Sequence, residues 1–194
     1  MLPNRLLFIF ISASAILALT NSAVAGPNYK VLHAFGAGKD GAGLYSDLTL
    51  DSQGSLYGTT SGGGTHGQGV VFKLTPGSDG RWSETVLHDF PSSADDGQGP
   101  VGGLIVNAAG DLYGTTEGGG GPYKYGTIFE LSKGSEGWKE TILHRFEFNK
   151  YGCCPQASLF MGNSGNLFGT AHVAFELSAG AHGWKEIVLH DFTG

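Results

Sequence analysis

Four histidines are the first residues of this chain whose type and recurrence could support chemistry. His33, His88, His144 and His190 each occupy the same short frame, "VLHAF", "VLHDF", "ILHRF" and "VLHDF". An imidazole repeated in this way could ligate a metal or shuttle a proton. The four lie 55, 56 and 46 residues apart, without the close histidine pairs of zinc sites. A group needed for one reaction need occur once, whereas a packing group recurs in every repeat. The expectation is therefore a packed histidine in each unit, hydrogen-bonded to a neighbouring strand or loop, with no metal site and no cofactor. The two-residue period of a strand would put Val86, His88 and Phe90 on one face and Leu87 and Asp89 on the other.

Other reactive types are read the same way. Trp82, Trp138 and Trp184 recur, as do Tyr57, Tyr113 and Phe168; such rings could stack on sugars, but recurrence assigns them to the core. Asp40 in "KDGAG" and Asp96 in "DDGQGP" could offer oxygen to calcium. The alternating ligands of a calcium loop are missing, and Asp-Gly is ordinary turn chemistry. Cys153 and Cys154, the only cysteines, are adjacent, so the alternatives are a vicinal disulfide or two reduced, buried thiols, and a loop-closing staple is excluded. The residues that repetition does not explain are the better ligand-binding candidates: His66, Glu117, Tyr123, Lys124, Lys150 and Tyr151. Glu117 with Asp96 would be a carboxylate pair for glycoside hydrolysis if the fold brought them together. No G-x-S-x-G, H-E-x-x-H or Walker sequence is present, and no catalytic residue is assigned.

The elements that must position these groups also repeat. "GSLYGTT", "GDLYGTT" and "GNLFGTA" form one series; "VVFKL", "TIFEL" and "VAFEL" another; "GRWSET", "GWKET" and "GWKEI" lead into the histidine frame. Each unit reads as four short antiparallel strands separated by turn signals. The outermost is expected at 46–51, 102–107 and 157–162. The repeat domain spans 26–194, with units at about 36–90, 91–146 and 147–192 and a lone strand at 29–35. The expectation is an all-β, β-propeller-like arrangement of three four-stranded blades plus that extra N-terminal strand, and possible closure is incomplete because propellers use 4–8 blades. The glycine-rich "LYGTTSGGGTHGQGVVFKL" (56–74) lacks the lysine of a phosphate loop and joins two strands, so its glycines serve the backbone.

Residues 1–25 read as a secretory signal peptide: Arg5, the apolar run "LLFIFISASAILALT" and the small-residue cleavage site "AVA". An extracellular or periplasmic protein with no membrane span after cleavage is expected. The net charge of −6, without a basic run, argues against a nucleic-acid partner. The 34 glycines have no G-X-Y period, which excludes collagen.

The combination of "LYGTT", "GGG", "GTIFEL" and "ILHRF" resembles the GloVer tandem repeat of secreted bacterial proteins. The resemblance runs over about residues 29–194. It implies an extracellular, propeller-type repeat protein, often carrying a C-terminal sorting anchor, with no catalytic residues to transfer. The expected function is non-catalytic binding or scaffolding, with a glycan or cell-surface protein as partner and self-association through open blade edges. The alternatives are a glycosidase or lyase with its site on the long-loop face, and a fragment of a larger repeat array.

Overall fold

A computed structural model describes residues 30–36, 38–93, 95–122, 125–147, 153–181 and 183–192. The expected signal peptide lies outside them. The chain divides into two units, Met1–Leu32 and His33–Gly194, and all the elements belong to the second.

The first blade is a meander of β1 (Thr49–Leu50), β2 (Leu56–Thr60), β3 (Val70–Pro76) and β4 (Trp82–Asp89). A two-residue strand, β5 (Gly97–Gln98), precedes the second blade: β6 (Ile105–Val106), β7 (Leu112–Thr116), then β8 (Gly118–Gly119), β9 (Thr127–Gly134) and β10 (Gly137–Arg145). Here β6, β7, β9 and β10 form the sheet, while β8 leaves it to pair with β5. The third blade is β11 (Phe160–Met161), β12 (Leu167–Thr170), β13 (Val173–Gly180) and β14 (Gly183–Asp191). All pairings are antiparallel, as short β-rich runs broken by glycine turns demand. Among the described residues no helix is present and no sheet closes on itself.

Two expectations are corrected. The outermost strands are ladders of only two residues, because the segments before them bend away to pack on the neighbouring blade: Gly103 N–H donates to Ser158 Oγ at 2.9 Å, and Thr59 Oγ1 donates to the Gly102 carbonyl at 3.2 Å. Among the described residues of the expected lone N-terminal strand, 30–35, no strand is present. Residues 30–36 pair with no strand, and Phe35 instead lays its ring on Phe72, with centroids 4.7 Å apart.

The core sits between blades. One cluster joins Tyr57, Val71 and Phe90 of the first unit to Leu104, Leu112, Phe129 and Leu131 of the second. The next joins Tyr113, Ile128, Leu143 and Phe146 to Leu159, Leu167, Val173, Phe175 and Leu177 of the third. Alternation explains the split: in β9, Phe129 and Leu131 face backwards while Ile128 faces forwards. The glycine of each Leu-Tyr/Phe-Gly run makes this packing possible. A Cβ on Gly114 would stand 2.6 Å from Phe129 Cζ and 2.9 Å from Leu104 Cδ2, and Gly58 and Gly169 meet the same pair of neighbours in their own blades.

The last strand of each blade departs from simple alternation. A β-bulge shifts the register between Ile142 and His144, and equivalent shifts occur in the other two blades. Ile142 therefore packs backwards on the first junction, while Leu143 and Phe146 pack forwards on the second. Val86 and Phe90 do not share a face as the two-residue period requires, because the extra residue reverses the phase. The bulge is what turns each histidine and phenylalanine towards the following blade. At the third blade no described residue follows, and Leu189 and Phe192 stand 53% and 61% exposed.

Candidate functional site at the blade junctions

The histidine frame acts as a hook. His88 packs edge-on against Phe90 with centroids 4.6 Å apart, and Phe90 reaches Phe129 of the second blade at 5.4 Å. His144, Phe146 and Phe175 repeat the chain of contacts at 4.8 and 5.6 Å. Each hooked histidine meets a glutamate from the last strand of the next blade. His88 Nε2 lies 3.4 Å from Glu140 Oε2, and His144 Nε2 lies 3.6 Å from Glu186 Oε2.

These are contacts between largely buried groups, and burial sets their protonation. Desolvation pushes Glu140 up to about 9, and the nearby Asp96 carboxylate adds to the rise. Desolvation lowers His88, against the opposing pull of Asp96 and Asp89. At neutral pH the proton therefore sits on Glu140 and the imidazole is neutral. Burial acts the same way at the next junction, raising Glu186 and lowering His144.

The His33 and His88 frames carry an additional acid from the loop after the hook. His33 Nε2 is 3.4 Å from Asp40 Oδ2, and burial raises Glu84 nearby, with His33 opposing and Asp40 adding to the rise. His88, Asp96 and Glu140 each place one ligating atom within 4.8 Å of the other two. Asp96 is anchored by its backbone, the carbonyl accepting from Gly120 N–H at 2.8 Å. Arg145 Nη2 donates to the Asp95 carbonyl at 3.2 Å, tying the same loop to β10. Sequence reasoning overlooked Glu84, Glu140 and Glu186. Their recurrence four residues before His88, His144 and His190 was the available signal.

The loop candidates are less connected. His66 is exposed, its carbonyl accepting from Ser92 Oγ at 3.3 Å. Glu117 is exposed and accepts from Gln156 Nε2 at 3.3 Å. No described hydrogen bond or ion pair joins them. Tyr123, Lys124, Lys150 and Tyr151 lie outside the described residues. Asp96 and Glu117 sit at opposite ends of the β5–β8 ribbon, since Asp96 bonds Gly120 while Glu117 N–H donates to the Gly99 carbonyl. The Asp96 carboxylate turns instead to His88 and Glu140, so the imagined pair for glycoside hydrolysis is not assembled.

Cys153 and Cys154 are joined to each other, with Cα atoms 3.7 Å apart. Cys154, at φ 63°, is the one non-glycine residue at positive φ among the described residues. Counting back from Pro155 and Pro100, it takes the place of Gly99, which has the same φ. Its N–H donates to the Tyr125 carbonyl at 2.8 Å, as Gly99 N–H donates to Gln68 at 2.9 Å. On the opposite rim, an open groove of about 490 Å³ runs between the hairpin turns of the first two blades, past Gln53, Tyr57 and Asn107. A matching one of about 420 Å³ lies between the second and third.

Stacked four-stranded antiparallel units, joined by one recurring aromatic hook, define an all-β tandem-repeat protein. The model of the Gloeobacter/Verrucomicrobia repeat matches residues 15–182, and the chain belongs to that family. A comparison with curated proteins finds no match.

Proposed function

We propose that the chain is a secreted, non-catalytic repeat protein with a binding or scaffolding role, its partner a glycan or a cell-surface protein. One observation carries the reading. The histidines and phenylalanines that end the first two blades are engaged between blades, which leaves recognition to the loops that differ from unit to unit. Those loops are braced: β5 pairs with β8, and an Ala42–Gly62 bridge does the same one blade earlier. A braced loop binds with less entropy lost than a free one. Export is supported by the character of residues 1–25.

Self-association through the uncovered face of the third blade belongs to the same reading, since Leu189 and Phe192 are apolar and exposed. The test is a glycan array and a cell-surface pull-down with the secreted chain, each repeated with His66→Ala and Glu117→Ala. Binding that either substitution weakens supports the proposal. Silence in both screens, or turnover of a polysaccharide panel, refutes it.

A further inference from the structure

The junction between the first two blades holds a grouping that stacking alone does not require. His88 and Asp96 come from β4 and the loop after it, and Glu140 comes from β10 of the next blade. Their ligating atoms fall within 4.8 Å of one another. The His88–Glu140 separation of 3.4 Å matches the edge of about 3.3 Å that follows from tetrahedral bonds of about 2.0–2.1 Å.

The Glu140 side chain is nine-tenths buried. Its Oε1 and His88 Nε2 are both buried without a hydrogen-bond partner among the described residues. A native structure rarely leaves buried polar atoms without a partner unless something else engages them; His33 Nε2 and Glu84 Oε1 are left in the same way, but among the described residues three ligating groups converge only at His88. Asp96 Oδ1 accepts from Gly97 N–H at 2.6 Å, which orients the carboxylate towards Glu140, whose side chain hydrogen-bonds to it.

The junction between the second and third blades serves as an internal comparison. His144 meets Glu186 there and Phe146 packs on Phe175, yet the position four before Pro155, matching Asp96 four before Pro100, is Tyr151. The His–Glu contact and the aromatic hook therefore suffice to stack blades, and the aspartate is an addition.

We propose that His88, Asp96 and Glu140 bind a divalent transition-metal ion of the zinc class, which clamps the first blade to the second. One imidazole nitrogen and two carboxylate oxygens are suitable donors for such an ion, with water in the fourth position. Because the ligands come from both blades, binding stabilises the stacked state over the separated one.

The test uses the full chain, stripped with EDTA and titrated with zinc chloride by calorimetry, with thermal unfolding followed in parallel. The wild type takes up zinc and its Tm rises. Asp96→Asn loses one equivalent of bound zinc and the rise in Tm, while its circular dichroism in EDTA matches wild type. Glu140→Gln gives the same loss and provides a second variant should Asp96→Asn fold poorly. His66→Ala, at an exposed loop histidine, retains both the junction equivalent and the rise. No zinc uptake by the wild type, or unchanged stoichiometry and Tm response in the folded Asp96 and Glu140 variants, overturns the proposal.

Discussion

If the phenylalanine after each histidine is a hook, one deletion made at four equivalent positions should cost more the more deeply the ring is seated. Phe90 is fully buried and Phe146 is 6% exposed, each seated on a phenylalanine of the following blade. Phe90→Ala and Phe146→Ala remove a ring from a packed junction and leave a cavity, at about 3–5 kcal/mol. Phe192 is 61% exposed. Only about two-fifths of its surface is removed from water and no cavity forms, so Phe192→Ala should cost about 1 kcal/mol or less, scaled from about 1.5–3 kcal/mol for full burial. Phe35 is partly buried on Phe72 and should fall between. Urea unfolding followed by tryptophan fluorescence would measure the series, because Trp138 and Trp184 pack at the edges of the two junction clusters. In a linear repeat the neighbour interface carries much of the cooperativity, so Phe90→Ala should also lower the m-value or split the transition. Equal costs at Phe90 and Phe192, or a Phe90→Ala cost below about 1 kcal/mol, would refute the hook as the source of blade coupling.

Gly114→Ala should destabilise by about 1–3 kcal/mol, since its methyl would press on Phe129 and Leu104; the urea midpoint measures this, and a neutral result would show the ring is free to move. In EDTA, stability should decline from pH 6.5 to 8.5. Glu140 is raised in the folded state, so its contribution is full below the unfolded value near 4.5 and is lost as pH rises towards 9. His88 is lowered, and its contribution is lost only as pH falls below about 6.5. Above that pH the Glu140 slope of about 1.4 kcal/mol per pH unit stands largely alone, and Glu140→Gln should flatten the decline in urea midpoint. Cys154→Gly should leave stability within about 1 kcal/mol of wild type by the same assay. The relief of a left-handed non-glycine residue offsets the small entropic contribution of a disulfide between neighbours.

Much of the architecture was legible because it repeats. Three copies of Leu-Tyr/Phe-Gly and of the Phe-Lys/Glu-Leu run specify the inner strands, which the structure places at β2, β7 and β12 and at β3, β9 and β13, and the histidine frame recurs in the last strands β4, β10 and β14. The outer strands β1, β6 and β11 are shorter than their pattern predicts. Their apolar residues serve contacts with the adjacent blade as much as ladder pairing, and local patterning does not distinguish the two. The lone strand at 29–35 was read from its match to the histidine frame. There Phe35 uses the hook without the strand, because the aromatic contact needs only an extended backbone.

The residue types, the repeat and the turns follow from the chain alone, since glycine placement and two-residue alternation are local properties. Which way each hook points does not. The bulge between Ile142 and His144 inserts one residue into the ladder, and its phase is settled only when Phe146 finds Phe175 on the neighbouring blade. The meeting of His88, Asp96 and Glu140 is likewise a product of stacking. Glu140 lies 44 residues beyond Asp96 in the sequence, and only the packed junction desolvates His88 and Glu140 and shifts their proton affinities.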